Sequence, residues 1–495
     1  MKRPNLVYVF ADDMGYGDVS CLNEDARFKT ANLDRLAEGG MRCTDAHSSS
    51  AVCTPSRYSV LTGRYNWRSV LKKGVTGGYS RPILEKGRMT VASMLKAQGY
   101  RTACVGKWHL GLEWRLKDGG LASTYQDEDA VDFAAALTDC PTHHGFDYYF
   151  GISASLDMPP YVYIENDRST SVPTRKIEQI GGKRYMRAGV IGDDFKPEEV
   201  LPTLTKKVEG LIDEYARSDD PFFIYFPMPA PHTPILPVEE FRGKSGTNEY
   251  GDFCLQVDDT VGRVMKALER NGLAENTIVV FAADNGCSPM ADFDELAGFG
   301  HKPSYVFRGH KADIFEGGHR IPFIVRWPEV IEAGSTSDQT FCLTDLTATM
   351  AEITGFEVPD EAAEDSVSNL PLWDGSAKGP VREATVHHSI NGSFSIRKGN
   401  WKLEMCPGSG GWSEPKDPDA KAQGLPPIQL YDLSADIGER TNVQAEHPEV
   451  VEELKALLTK YVEEGRSTPG APQDNTGGSE WEQLWWMLKG TGAAE

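Results

Sequence analysis

Nowhere among these 495 residues does an apolar run approach the ~18 needed to cross a bilayer, so no membrane-spanning helix is expected and a membrane is not an expected partner. Positive charge is also scarce. Lys and Arg number 51 against 73 Asp and Glu, for a formal net charge of −22. Such a field repels nucleic acid and anionic lipid, which excludes both as expected partners. Any bound anion must therefore sit in a local cluster of Lys, Arg, His or metal; the acidity itself is adequately explained by solubility. The nine cysteines form no C-x-x-C pair and show no disulfide-framework spacing, and their odd number leaves at least one thiol unpaired. A signal-peptide apolar region is missing as well, because Met1-Lys2-Arg3-Pro4 passes directly into an apolar strand. That predicts a cytoplasmic protein, or a periplasmic or secreted one whose signal has been removed.

What is present is the material for a large core, with 40% hydrophobic and 10% aromatic residues. Four short apolar runs lead at once into polar residues. Leu6 to Ala11 leads into Asp12-Asp13, and Thr102 to Val105 into Gly106-Lys107-Trp108-His109. Phe222 to Phe226 leads into Pro231-His232-Thr233-Pro234, and Thr277 to Ala283 into Asp284-Asn285-Gly286. Continuous apolar runs bounded by turn residues read as strands buried on both faces, the signature of parallel sheets. Helical patterns lie between them, at residues 90–98 before Gly99 and at 250–271, where Phe253, Val257, Val261, Val264, Met265 and Leu268 share a face. The alternation predicts an α/β sandwich with a large, mostly parallel sheet, and ligands in such sheets sit at the carboxyl ends of strands. All four polar clusters fall there.

From 357 to 382 the chain turns acidic and rich in Pro, Gly and Ser, which predicts a boundary. We expect a catalytic domain over 1–380 and a small α+β domain over 381–495. The latter should carry an antiparallel sheet from strands near 394–397, 401–405 and 429–433, a helix near 449–464, and a loop over 407–427. Residues 112–142 and 156–200 read as loops around a pocket. Trp481 and Trp485, spaced i, i+4, would share a helical face and, with Trp486, dock on the protein's own surface.

Cys53-Thr54-Pro55-Ser56-Arg57 is the most informative stretch. A lone Cys is ordinarily a buried thiol. Pro55, however, suits the first turn of a helix that Arg57 to Leu61 can continue to Gly63. Cys53 then sits at a helix N-terminus, a position suited to a reactive thiolate or an oxyanion-bearing group. Asp12-Asp13 alone is a common turn or cap, and Asp284-Asn285-Gly286 an everyday turn. Together they offer three carboxylates and an amide carbonyl, hard oxygen ligands suited to Ca²⁺ or Mg²⁺, and no Cys/His cluster points to zinc.

The stretch from Cys53 to Arg57 matches the C-x-P-S-R signature of the sulfatases, and Leu61-Thr62-Gly63-Arg64 matches the residues usually found just after that signature in the family. Gly106 to Gly111, Pro231 to Pro234 and Gly309-His310-Lys311 with Glu316 to Pro322 match further family stretches. The chain therefore resembles the formylglycine-dependent sulfatases of the alkaline-phosphatase-like superfamily over most of 5–111 and 222–328, and more weakly in the C-terminal region, where Trp401-Lys402-Leu403 and Leu430 to Leu433 are similar to the family's closing strands.

That resemblance implies oxidation of Cys53 to formylglycine by a maturation enzyme, and a metal, calcium in preference to magnesium, on Asp12, Asp13, Asp284, Asn285 and residue 53. It makes Lys107 and Lys311 sulfate ligands, Arg57 an activating cation, His109 the partner of the hydrated aldehyde, and His232 the group facing the ester oxygen. Ser155 stands near a family substrate contact. The implied reaction is hydrolysis of a sulfate monoester through a formylglycine-sulfate intermediate at residue 53. Asn66-Trp67-Arg68, the surroundings of Tyr79 and His301 to Tyr305 resemble segments of bacterial polysaccharide sulfatases, so a sulfated galactose- or N-acetylgalactosamine-based glycan is the expected substrate. Two alternatives stand beside this reading: a phosphodiesterase or phosphonate hydrolase of the same superfamily, and a non-catalytic glycan binder in which Cys53 stays a thiol.

Overall fold

The structure, a computed structural model, describes residues 3–478 and 481–487. Five parallel strands form its centre: β1 (Asn5–Asp12), β2 (Arg101–Lys107), β3 (Tyr148–Ile152), β4 (Phe222–Pro231) and β5 (Thr277–Ala283). They lie in the order β5-β1-β4-β2-β3. Every residue of β1, β4 and β5 is buried, as continuous apolar runs require when helices cover both faces. Phe323–Arg326 adds antiparallel beside β5, and Met41–Cys43, Ser335–Ser337 and a short hairpin beyond β3 complete ten strands. The sheet is thus mixed, with a parallel core.

The helices fall into two groups. Ala31–Glu38, Val200–Tyr215 and Glu249–Arg270 pack together, and Cys53–Thr62, Val91–Ala97 and Leu346–Thr354 form the other set. The result is the α/β sandwich expected from the alternation. Glu249–Arg270 buries the predicted apolar stripe, and its first turn is capped by the Asn248 side chain, which accepts from the Tyr250 and Gly251 amides. The segments 112–142 and 156–200 hold only 3-10 helices of at most six residues and two- or three-residue strands before Val200–Tyr215.

A second, antiparallel sheet contains β6 (Thr385–His388), β7 (Phe394–Lys398), β8 (Trp401–Glu404) and β9 (Gln429–Asp432). Helix Pro448–Glu463 packs on it, and Tyr65 and Trp67 from the N-terminal half are buried in the same core. The stretch 407–427, expected as loop, includes the short helix Asp417–Ala422. The expected helical face of Trp481 and Trp485 does not form, since only Glu482–Leu484 makes a single turn and Trp481 precedes it in extended conformation. The tryptophans do dock on the protein. Trp486 meets Phe394 edge-on at 5.5 Å, and Trp485 Nε1 donates to the Met405 carbonyl at 3.1 Å.

A buried polar seam joins the two sheets. Arg397 Nη1 donates to Asp45 Oδ1 at 2.6 Å, and Lys402 Nζ to Glu439 Oε1 at 2.6 Å and the Ile314 carbonyl at 2.9 Å. Between them lie three imidazoles. His47 Nδ1 meets His319 Nδ1 at 3.0 Å, and His387 stacks on His319 with centroids 3.8 Å apart. This seam fixes the small sheet beside the segment that carries Lys311.

Candidate functional site

Six segments, carrying Asp12-Asp13, Cys53, Lys107 and His109, His232, Asp284-Asn285 and Lys311, meet at the carboxyl ends of β1, β2, β4 and β5 although they are scattered along the chain. Cys53 opens helix α1 (Cys53–Thr62), with Val52 extended at the N-cap and Gly63 closing it in the left-handed conformation at φ 65°. Only glycine takes that C-cap at no steric cost. All ten helix residues are buried, so Cys53 is presented to an enclosed site by free backbone N–H groups.

Asp12 ends β1, and Asp13 turns out of the strand with φ 65°. Its amide donates to Asp284 Oδ1 at 3.1 Å, and Asn285 Nδ2 donates to Asp13 Oδ1 at 2.7 Å, which ties the β1 and β5 ends together. Ligand atoms of Asp12, Asp13, Cys53 and His232 all lie within 4.8 Å of one another. Each cation is set against one of the acids. Lys107 Nζ lies 2.6 Å from Asp12 Oδ2, Lys311 Nζ 2.7 Å from Asp13, and Arg57 Nη2 2.7 Å from Asp284 Oδ2 and 3.5 Å from Asp12 Oδ1.

The electrostatics arise from charges taken out of water. Burial raises Asp12, yet Lys107, His232, Arg57 and Lys311 outweigh it and hold its carboxyl well below the usual range. Asp284 moves the other way, pushed up to about 7 by burial and then by Asp12. Asp12 Oδ1 and Asn285 Oδ1 are buried without a hydrogen-bond partner. Crowded carboxylates with free oxygens of this kind fit a hard divalent cation, whose charge would relieve Asp284 and engage both oxygens. Burial also pushes the Cys53 thiol up to about 12 in spite of Lys107 and Lys311. Of the two roles open to a Cys at this helix start, the reactive thiolate is therefore disfavoured.

The two histidines differ in their free nitrogen. His109, at φ 58°, places Nε2 at 2.7 Å from the Thr76 carbonyl, so Nε2 is the donor and the buried Nδ1 is left without a partner. Burial, then Lys107 and Arg57, hold His109 well below its ordinary value, so it is neutral. His232 is flanked by cis peptides at Ala230-Pro231 and Thr233-Pro234, and its Nδ1 donates to the Thr233 carbonyl at 2.6 Å. Its Nε2 faces Asp13 Oδ2 at 3.6 Å. Ser155 is buried and its Oγ is unpartnered.

Several participants were not legible in the sequence. The Tyr250 hydroxyl lies 3.1 Å from the Asp13 carbonyl and also bonds Asp18, which His301 Nε2 meets at 2.7 Å. These side chains brace the turn at Asp13; no local pattern announces Tyr250 or Asp18, whereas His301 opens a segment already singled out for its resemblance. In the other two segments that resembled polysaccharide enzymes, Arg68 pairs with Asp365 at 2.8 Å and the Tyr79 hydroxyl donates to Glu128 at 2.9 Å. The matched stretch Glu316 to Pro322 begins with the short helix Glu316–His319. No Cys/His cluster was expected, yet His47, His319 and His387 do converge. Lys402 lies 3.0 Å from His319 Nε2 and Arg397 3.0 Å from His47 Nε2, so two cations already stand against this cluster.

Comparison with known proteins agrees with this geometry. The sulfatase family model matches residues 4–356. An N-acetylgalactosamine-6-O-sulfatase of Bacteroides thetaiotaomicron is 33% identical, over 92% of this chain and 93% of its own length. Human arylsulfatase A is also 33% identical, over 92% and 87%. A solved structure from work on the metabolism of multiple glycosaminoglycans by Bacteroides thetaiotaomicron superposes with a TM-score of 0.81 at 33% identity, covering 93% of this chain and 99% of its own. With a family model spanning most of the chain and relatives aligned nearly end to end, the protein belongs to the sulfatase family.

Proposed function

We propose that this sulfuric ester hydrolase acts on a sulfated glycan, with residue 53 matured from Cys to formylglycine as its nucleophile. The observation that carries the reading is the convergence of Cys53, at the mouth of α1, with three carboxylates, three cations and two histidines in one buried site. The glycan is supported by the relative that is an N-acetylgalactosamine-6-O-sulfatase, which favours a 6-sulfated galactose or N-acetylgalactosamine.

Asp12, Asp13, Asp284 and Asn285 would hold the divalent cation, calcium in preference to magnesium, which supplies positive charge against the sulfate oxygens when bound. Formylglycine, once hydrated, supplies an oxygen nucleophile and a second hydroxyl through which the aldehyde can be regenerated; a maturation enzyme must install it. Lys107 and Lys311 bind the sulfate oxygens, already aimed into the site by Asp12 and Asp13. Arg57, bonded to Asp284, adds fixed positive charge behind residue 53. Preorganised cations of this kind are usually the largest catalytic term, with single donors worth on the order of 3–4 kcal/mol.

His232 presents Nε2 to the departing sugar oxygen, because its Nδ1–H is committed to the Thr233 carbonyl, and as an imidazolium it donates the Nε2 proton to that oxygen. His109 is the opposite case. Its Nε2–H is committed to Thr76, so Nδ1 accepts a proton from residue 53. We further read 381–495 as a unit that completes the pocket, supported by Asp313, which caps the Trp412 and Ser413 amides at 2.8 and 3.0 Å two residues from Lys311.

Turnover of defined sulfated oligosaccharides, beside matched phosphate esters, tests the reading. Preference for 6-sulfated galacto-configured sugars is expected. Equal rates across unrelated sugars, or faster phosphate release, would overturn it.

A further inference from the structure

The chain leaves the carboxyl end of β3 through Ser153, Ser155 and Asp157, all buried, and each keeps one side-chain oxygen without a hydrogen-bond partner. Asp157 is the charged member and is only 4% exposed. Its Oδ2 pairs with Arg187, and its backbone carbonyl accepts from the Arg187 amide at 3.0 Å and the Tyr161 hydroxyl at 2.9 Å. The residue is therefore held on three sides. Its other oxygen, Oδ1, has no donor and lies 4.0 Å from His232 Nδ1.

That distance is too long for a hydrogen bond, and His232 Nδ1 already donates to Thr233. Asp157 thus does not orient the ring, although it stands beside the group that faces the leaving oxygen. A buried carboxylate oxygen without a donor is costly, and a protein that fixes one next to its reacting atoms provides a partner from elsewhere. A carboxylate accepts hydrogen bonds only, so the partner is a hydroxyl or an amide N–H. A sugar offers such donors within one or two carbons of its sulfate ester.

We infer that Asp157 is a specificity-determining residue whose free Oδ1 accepts a hydrogen bond from the hydroxyl or acetamido N–H nearest the sulfated carbon, with Arg187 holding the carboxylate in place. The inference rests on the carbohydrate reading above. It adds that a ring lacking this donor is discriminated against, because the oxygen is then left buried and unpaired.

The test compares kcat/KM for wild type and Asp157→Ala on three probes: 4-nitrophenyl sulfate, methyl N-acetylgalactosaminide 6-sulfate and its 4-deoxy analogue. The ratio of sugar to aryl activity should fall on the order of 10²-fold in the variant. The deoxy analogue should be penalised similarly in wild type and scarcely further in the variant, as expected when one contact is removed from either side. Parallel loss on sugar and aryl sulfates would reduce Asp157 to a support of the site and overturn the inference, as would a deoxy penalty that persists in the variant. A wild-type enzyme that cleaves the aryl sulfate and neither sugar would overturn the carbohydrate reading first, and this inference with it.

Discussion

At the scale of single residues, the site is a set of atoms whose alternatives have been removed. His232 has one nitrogen committed to a carbonyl, which leaves Nε2 for the substrate. His232→Ala should slow a sugar sulfate on the order of 10²–10⁴-fold. An aryl sulfate, whose leaving group needs no proton, should lose far less, and equal loss on both would remove the acid assignment. Asp12 Oδ1 and Asn285 Oδ1, both buried without a hydrogen-bond partner, carry the second claim, the proposed cation site. Chelation should abolish turnover and lower the melting temperature, and calcium should restore both; a melting temperature indifferent to chelation and to calcium would place the ion elsewhere. These residues were legible early, since acids and amides at strand ends are hard oxygen donors wherever the strands converge. Asp157, Tyr250 and Thr76 were not. Their contributions are a lone pair, a hydroxyl and a backbone carbonyl brought in from segments whose local sequence carries no motif.

At the scale of elements, position depends on backbone that only certain residues permit. Gly106, at φ 140°, lies in β2 immediately before Lys107, and a Cβ there would stand 2.0 Å from the Pro227 carbonyl oxygen of β4. Gly106→Ala should cost about 3 kcal/mol or more in denaturant unfolding, with activity lost as β2 and β4 separate. Gly74→Ala is the control, because that glycine also has positive φ (74°) and nothing lies within 4 Å of its Cβ. It should cost about 1–2 kcal/mol. Equal costs would mean that close approach of the strands does not set the requirement. The strands and long helices were readable because their burial pattern is written in consecutive residues. Helix Glu249–Arg270 lies within one residue of the expected span at each end. The Trp481 segment shows the reverse: i, i+4 spacing suggested a helix, but docking onto Phe394 through Trp481 and Trp486 is compatible with a single turn.

At the scale of the whole molecule, the two sheets are joined through buried ionisable groups, and this gives the fold a pH dependence. Burial, reinforced by Lys402 or Arg397, holds His47, His319 and His387 below the ordinary histidine value, against the opposing pull of Glu316 and, at His47, Asp45. His319 and His387, held well below, are neutral when folded and take up protons when unfolded. Their contribution is complete above about pH 6.5 and is lost as pH falls below it, by up to about 1.4 kcal/mol per unit for each, until the folded form is itself protonated. Asp45 and Glu316, whose carboxyls are depressed, add losses below about pH 4 in the same direction. Glu404 and Glu439, whose carboxyls burial raises, oppose this loss, so the test is the difference between two proteins: over pH 7 to 4.5, His387→Phe should lower the dependence of stability on pH by about one proton relative to wild type. An unchanged slope would exclude His387 as a contributor. This seam was invisible in the sequence, because its members come from five separated segments, and the matched stretches at Glu316 to Pro322 and Trp401 to Leu403 give no sign that they meet. The chemistry converges on residue 53, whose encoded thiol is buried and protonated. The most direct test is therefore mass analysis of the peptide containing residue 53 from an active preparation, read beside its rate on a sulfate ester. An aldehyde at residue 53, with activity proportional to its occupancy, is the predicted result. Full activity from protein in which residue 53 remains a cysteine thiol would contradict the account.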